Sequence, residues 1–220
     1  MGQPATHADL INSSFDDFVA FLFDRDMSRE SEGRDYWYWH IEVEFDPKRI
    51  GAYYVQLFRQ PEFLLTRFTK LQLEEGFWAI QVPNLDCSVF RIIDDSDLSL
   101  SAREECIRSM ADLFRRLFAT EPLDSSVQMW WDSLCYDWCC GNRNRERGGE
   151  DLKLQDIFFE TLAEVLAIDS WICQRAALHG LSHLHHPRTK ELVERFIDEH
   201  PSLTQEQKAY TLAAANFEVQ

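Results

Sequence analysis

Apolar residues recur three and four positions apart along most of this chain, a spacing that gathers them on one face of a helix. Phe15, Phe18, Val19 and Leu22 form the first such stripe. Ser13 and Ser14 stand before it as candidate caps, and Asp16 and Asp17 fall in the first turn, where the positive end of the helix dipole favours acids. The next stripe, Ile50, Tyr53, Tyr54, Leu57 and Phe58, lies between Pro47 and Pro61. A short helix follows over 61–67, and another runs from Lys70 or Leu71 through Ile80. Ile107, Met110, Ala111, Phe114, Leu117 and Phe118 share a face behind a Ser101 cap, and Pro122 separates that helix from the next. Ser125 or Ser126 opens an aromatic-rich helix that stops at Gly141. The remainder reads as Leu152–Ala167, Trp171–His185, Thr189–Glu199 and Glu206–Phe217.

The period changes at one place. Over residues 36–45, Trp37, Trp39, Ile41, Val43 and Phe45 alternate with Tyr36, Tyr38, His40, Glu42 and Glu44, which is a strand signal. No second segment alternates in the same way, and a lone strand leaves its ladder unpaired. An extended arm across helices and a helix start therefore stand beside the strand reading. Arg25–Asp35 is polar, contains Gly33 and reads as a loop, and 84–101 gives no clear element. The fold class is all-α: one domain over 1–220, an irregular helical array with a divergent, acidic N-terminal part (1–100) and helix pairs over 101–220.

From Asp151 to Arg188 is 37 positions for two helices, close to the roughly 40-residue period of helical repeat arrays. Asp169 and Arg175 stand six apart, followed by Ala176, Ala177, Leu178, Gly180 and Leu181, with Pro187 at the next turn. In these residues the chain resembles the HEAT-repeat family over 151–200, and over 103–141 only as a helix pair. Gln174 departs from the family's usual Val. The resemblance implies an α-solenoid scaffold with an extended binding surface, and such folds do not fix a ligand.

Charge narrows the partners. There are 22 basic and 38 acidic residues, a net of -16, which disfavours nucleic acid and anionic membrane, including the DNA-glycosylase branch of HEAT-like proteins. Residues 1–46 hold eleven acids and three bases (Arg25, Arg29, Arg34), half of that net charge. A basic protein is the natural complement, with Asp16, Asp17 and Asp24 as candidate contacts; a merely solubilising surface is the plainer reading. The start, MGQPATHADL, has neither the basic nor the apolar run of a secretion signal, so a cytoplasmic chain with reduced thiols is expected and the Asn12-Ser13-Ser14 sequon is irrelevant.

Four groups of residues carry candidate chemistry. His179 and His183 stand one helical turn apart and can offer two imidazoles to zinc, with Cys173 and His186 near enough in sequence to approach. No HExxH and no carboxylate at a characteristic spacing accompanies them, and histidines satisfying carbonyls at a helix end are the plainer reading. Cys135, Cys139 and Cys140, among Trp130, Trp131 and Trp138, read as buried, inert thiols. Arg143, Arg145 and Arg147 can reach a phosphate or a partner's carboxylate, or simply be solvated. Trp130, Trp131 and Asp132 form a candidate exposed hot spot, with core packing the plainer place for at least one of the tryptophans. No phosphate-binding glycine motif and no GxSxG elbow is present, so no cofactor and no enzyme class is indicated. The expected function is protein binding through an acidic, aromatic-containing surface, such as an immunity protein or antitoxin neutralising a basic protein. The alternative is a zinc-dependent enzyme or sensor at His179 and His183, and a third reading is a structural subunit of a larger assembly.

Overall fold

A computed structural model describes residues 6–26, 36–121, 123 and 125–219 of the chain. The fold is all-α, with two short strands among the described residues. Helix α1 (Phe15–Phe23) begins where Ser14 closes a capping box with Asp17 and buries Phe18, Val19, Leu22 and Phe23. Helix α2 (Pro47–Arg59) starts on an Asp46 cap with Pro47 in the first turn. A 3-10 turn at Pro61–Phe63 leads into α3 (Leu64–Arg67), and Thr69 caps α4 (Lys70–Gln81) with Gln72 completing the box. The stretch with no clear sequence signal contains α5 (Val89–Asp94), capped by Ser88.

Helix α6 (Leu100–Leu113) is capped by Ser99, two residues before the serine expected. Leu100 packs against the core, so the helix starts early enough to include it. Its end widens into a π-helical turn at Phe114–Phe118, where the Ala119 N–H donates to the Phe114 carbonyl at 2.9 Å and Phe114, Leu117 and Phe118 are all buried. The single helix expected over 125–141 is two, α7 (Ser125–Gln128) and α8 (Trp130–Cys139), broken at Met129. Gly141 then takes a φ of 82°, which glycine adopts without strain. Helices α9 (Gly149–Leu166), α10 (Trp171–Leu184), α11 (Thr189–Glu199) and α12 (Gln205–Ala215) follow within two or three residues of the expected bounds. Of the expected loop over 25–35, residues 27–35 lie outside the described residues, as does the break at Pro122.

The alternating segment is part helix and part strand. Trp37–Trp39 is a 3-10 turn, while β2 (Ile41–Glu44) pairs in parallel with β1 (Thr6–Asp9), Thr6 opposite Ile41 and Asp9 opposite Glu44. The partner strand, THAD, has too little apolar content to announce itself. Asp86 holds the other side of β2 by accepting from the Val43 N–H at 3.0 Å.

Helix α10 is central: it packs on α7, α8, α9, α12 and the π-helical turn. Its close approach to α8 depends on Gly180, where an added Cβ would lie 2.6 Å from the Trp131 Cβ. Trp130, next to it, is fully buried, with ring centroids of Phe58, Phe77, Phe114 and Phe118 5.6 to 6.3 Å away in edge-on packing. Across the N-terminal side, α2 packs on α6 and α1 on α4.

One buried acid ties these parts together. The Glu74 carboxylate on α4 accepts from the backbone N–H and hydroxyl of Ser125 and of Ser126, at 2.8 to 3.1 Å. It therefore caps α7 from a neighbouring helix and satisfies donors that α7 cannot satisfy itself. Glu74→Ala orphans all four donors and is expected to cost about 2 kcal/mol, read as a lowered midpoint in chemical denaturation. An unchanged midpoint would show that the cap contributes nothing.

Candidate metal centre

The side chain that completes a site with the histidine pair comes from α8. Asp132 lies in the first turn of that helix, immediately after the two buried tryptophans that press α8 onto α10. His179 and His183, one turn apart on α10, point their Nε2 atoms at it. The His183 Nε2 lies 3.2 Å from Asp132 Oδ1 and the His179 Nε2 3.7 Å from it, while the two Nε2 atoms are 2.9 Å apart. All three ligand-type atoms fall within 4.8 Å of one another.

The setting is half dry. The side chains of His179 and His183 are 2% and 11% exposed, whereas Asp132 is 37% exposed, so the cluster opens to solvent on its carboxylate side. The His179 and His183 imidazoles beside it hold the Asp132 carboxyl well below the usual carboxylate range, against the opposing effect of burial. Asp132 is thus a carboxylate at neutral pH. Outer contacts are unequal: His183 Nδ1 meets Cys139 Sγ at 3.6 Å, and His179 Nδ1 is buried with no hydrogen-bond partner.

The spacing suits a metal ion. Nitrogen and oxygen ligands about 2.0–2.1 Å from zinc sit about 3.0 Å apart at right angles and about 3.4 Å apart at the tetrahedral angle. The three separations here, 2.9, 3.2 and 3.7 Å, straddle those values. Without a metal, a proton must do the same work. One shared by His183 with both Asp132 and His179 relieves the crowding of lone pairs, and a divalent cation does so more completely.

The other expected ligands are engaged elsewhere. The Cys173 thiol donates to the Phe114 carbonyl at 3.6 Å. His186 is buried, contacts Asp156 at 3.0 Å through Nε2 and stacks on Phe159, and burial lowers its pKa. The helix-end reading of His179 and His183 also fails, since their rings face each other and Asp132 rather than terminal carbonyls.

Three further expectations need correction. Trp130 and Trp131 are fully buried, so neither anchors an interface; their rings pack on phenylalanines of α2, α4, α9 and the π-helical turn. Arg143 pairs with Asp94 at 2.5 Å and Asp151 at 3.2 Å, and Arg145 with Asp156 at 2.6 Å. Arg147 donates to the Asn142 carbonyl at 3.1 Å. The acids of α5 and α9 thus turn the arginine loop into a clasp rather than a phosphate site. Among the acidic candidates, Asp17 is spent on the capping box and Asp16 pairs with Arg67 at 3.0 Å, while Asp24 is exposed at the end of α1. Of the three thiols read as buried, only Cys135 is, and burial raises its pKa; Cys139 is half-buried and Cys140 exposed, because they lie where α8 ends and the chain turns outward.

Sequence reasoning missed Asp132 as a ligand. In sequence it reads only as an acid beside Trp130 and Trp131 in a candidate interface patch, and nothing in the chain says that α8 lies beside α10. Among the described residues no helix is long and apolar enough to cross a membrane. No family model, curated protein or solved structure matches the chain.

Proposed function

We propose that the protein binds a divalent first-row transition metal, zinc foremost, at Asp132, His179 and His183. The observation that carries this reading is the convergence of two imidazole nitrogens and an ionised carboxylate oxygen within 4.8 Å, on two helices locked together by the core. Two imidazoles and one carboxylate suit zinc and its first-row neighbours better than calcium or magnesium, which favour oxygen. Three protein ligands leave a coordination position on the solvent side of Asp132, the arrangement of sites that exchange a water or small anion. Reversible metal binding, with an exchangeable ligand at the open position, is the function this geometry supports. The six free cysteines fit a reducing, cytoplasmic location. The HEAT-like pairing of α9 and α10, supported by Asp169, Arg175 and Gly180, is proposed as its scaffold.

Thermal unfolding tests the reading. Zinc at a hundredfold excess over its Kd should stabilise the folded chain by about 2.7 kcal/mol, a rise in Tm of roughly 5–11 °C for a chain of this size. The shift should vanish in His183→Ala and Asp132→Asn. No zinc-dependent shift in the parent protein would dispose of the proposal.

The acidic N-terminal face supports a second reading, capture of a basic protein. Trp39 is 49% exposed and precedes exposed Glu42 and Glu44 on β2, with Asp9 opposite Glu44 on β1. Such a surface speeds encounter with a basic partner and loses that advantage as salt rises. An association rate insensitive to salt would exclude it.

A further inference from the structure

Cys139 stands beside the metal centre without reaching the ligand atoms. It lies on the same stripe of α8 as Asp132 and Tyr136, positions spaced four and then three apart, so all three face α10 near His183. The Tyr136 ring is 6.0 Å from the His183 ring, and Cys139 Sγ is 3.6 Å from His183 Nδ1, on the side of the imidazole away from Asp132.

The nearer acceptor for the thiol proton is a backbone carbonyl. Cys139 S–H donates to the Tyr136 carbonyl at 3.1 Å, so the sulfur meets His183 as an acceptor. An acceptor beside Nδ1 favours a proton on that nitrogen, which leaves Nε2, turned toward Asp132 and His179, as the atom that shares a second proton or takes a metal. This holds whether a shared proton or a metal ion occupies the space between them. His179 has no equivalent support, since its Nδ1 lacks a partner. Among the described residues, Cys139 supplies the outer hydrogen bond to the imidazole pair.

We propose, resting on the metal reading above, that Cys139 is the positioning residue of this centre: its sulfur fixes the tautomer and ring orientation of His183 so that Nε2 can take a divalent metal. Outer partners of this kind set both the basicity and the aim of a ligating histidine. The neighbouring Cys140 is exposed and its sulfur contacts the Asp137 carbonyl at 3.7 Å, so it has no part in this contact.

Cobalt(II) titration of the untagged full chain tests the assignment, comparing the parent with Cys139→Ala and Cys139→Ser. The alanine variant should bind cobalt about 10–100-fold more weakly, with weakened visible ligand-field bands and an unchanged metal-free Tm. Serine can donate to the Tyr136 carbonyl and accept from Nδ1 at once, so it should restore both affinity and spectrum. Cobalt binding in Cys139→Ala as tight as in the parent would overturn the positioning role and leave the metal site standing. So would a sulfur-to-cobalt charge-transfer band in the parent, which would make Cys139 a direct ligand. A parent chain that takes up no cobalt would remove both proposals together.

Discussion

Trp130→Ala is expected to destabilise the protein by about 3–5 kcal/mol, a fall in Tm of roughly 6–20 °C. The indole is fully buried, surrounded edge-on by four phenylalanines from α2, α4 and the π-helical turn, and its N–H points at the Met110 sulfur at 3.4 Å. Removing it opens a cavity at the junction of both halves of the chain, where rigid rings limit relaxation. Trp130→Phe fills most of that space and should cost much less. Differential scanning calorimetry separates the two variants, and equal melting points would show that the ring cluster is not the keystone of the core.

Gly180→Val should cost about 3 kcal/mol, roughly 6–12 °C in Tm, and should also weaken metal binding although it alters no ligand. A Cβ at this position would lie 2.6 Å from the Trp131 Cβ and 2.8 Å from a Leu162 methyl carbon. The leucine methyl can swing away, but the Trp131 Cβ is fixed to the backbone, so α8 and α10 must separate. Those two helices carry Asp132 on one side and His179 and His183 on the other. Calorimetry of the metal-free chain and a cobalt titration read the two consequences separately. Full cobalt affinity alongside a lowered Tm would mean that ligand spacing does not depend on this contact.

Helix stripes and caps were the legible part of this fold. Phe18, Val19 and Leu22 face inward behind Ser14, and Thr189–Glu199 runs over the expected residues, because local periodicity and capping chemistry are written in adjacent positions. What failed to read was set by partners distant in the chain. The strand at Ile41–Glu44 depends on pairing with THAD and on Asp86, neither of which resembles a strand partner in sequence. The arginines of 143–147 looked available because their acids lie on α5 and α9. The histidine pair was visible from its spacing, yet Asp132 was not, since its meeting with His179 follows from Gly180 against Trp131 rather than from any motif.

Metal content per chain is the measurement that bears most directly on the centre. Untagged protein is equilibrated with zinc, dialysed against metal-free buffer and analysed by inductively coupled plasma mass spectrometry, alongside Asp132→Asn and His183→Ala. The structure predicts one zinc per parent chain and loss of that zinc in both variants, each still folded. No zinc above background in the parent, or zinc retained in both variants, would contradict a metal centre at Asp132, His179 and His183.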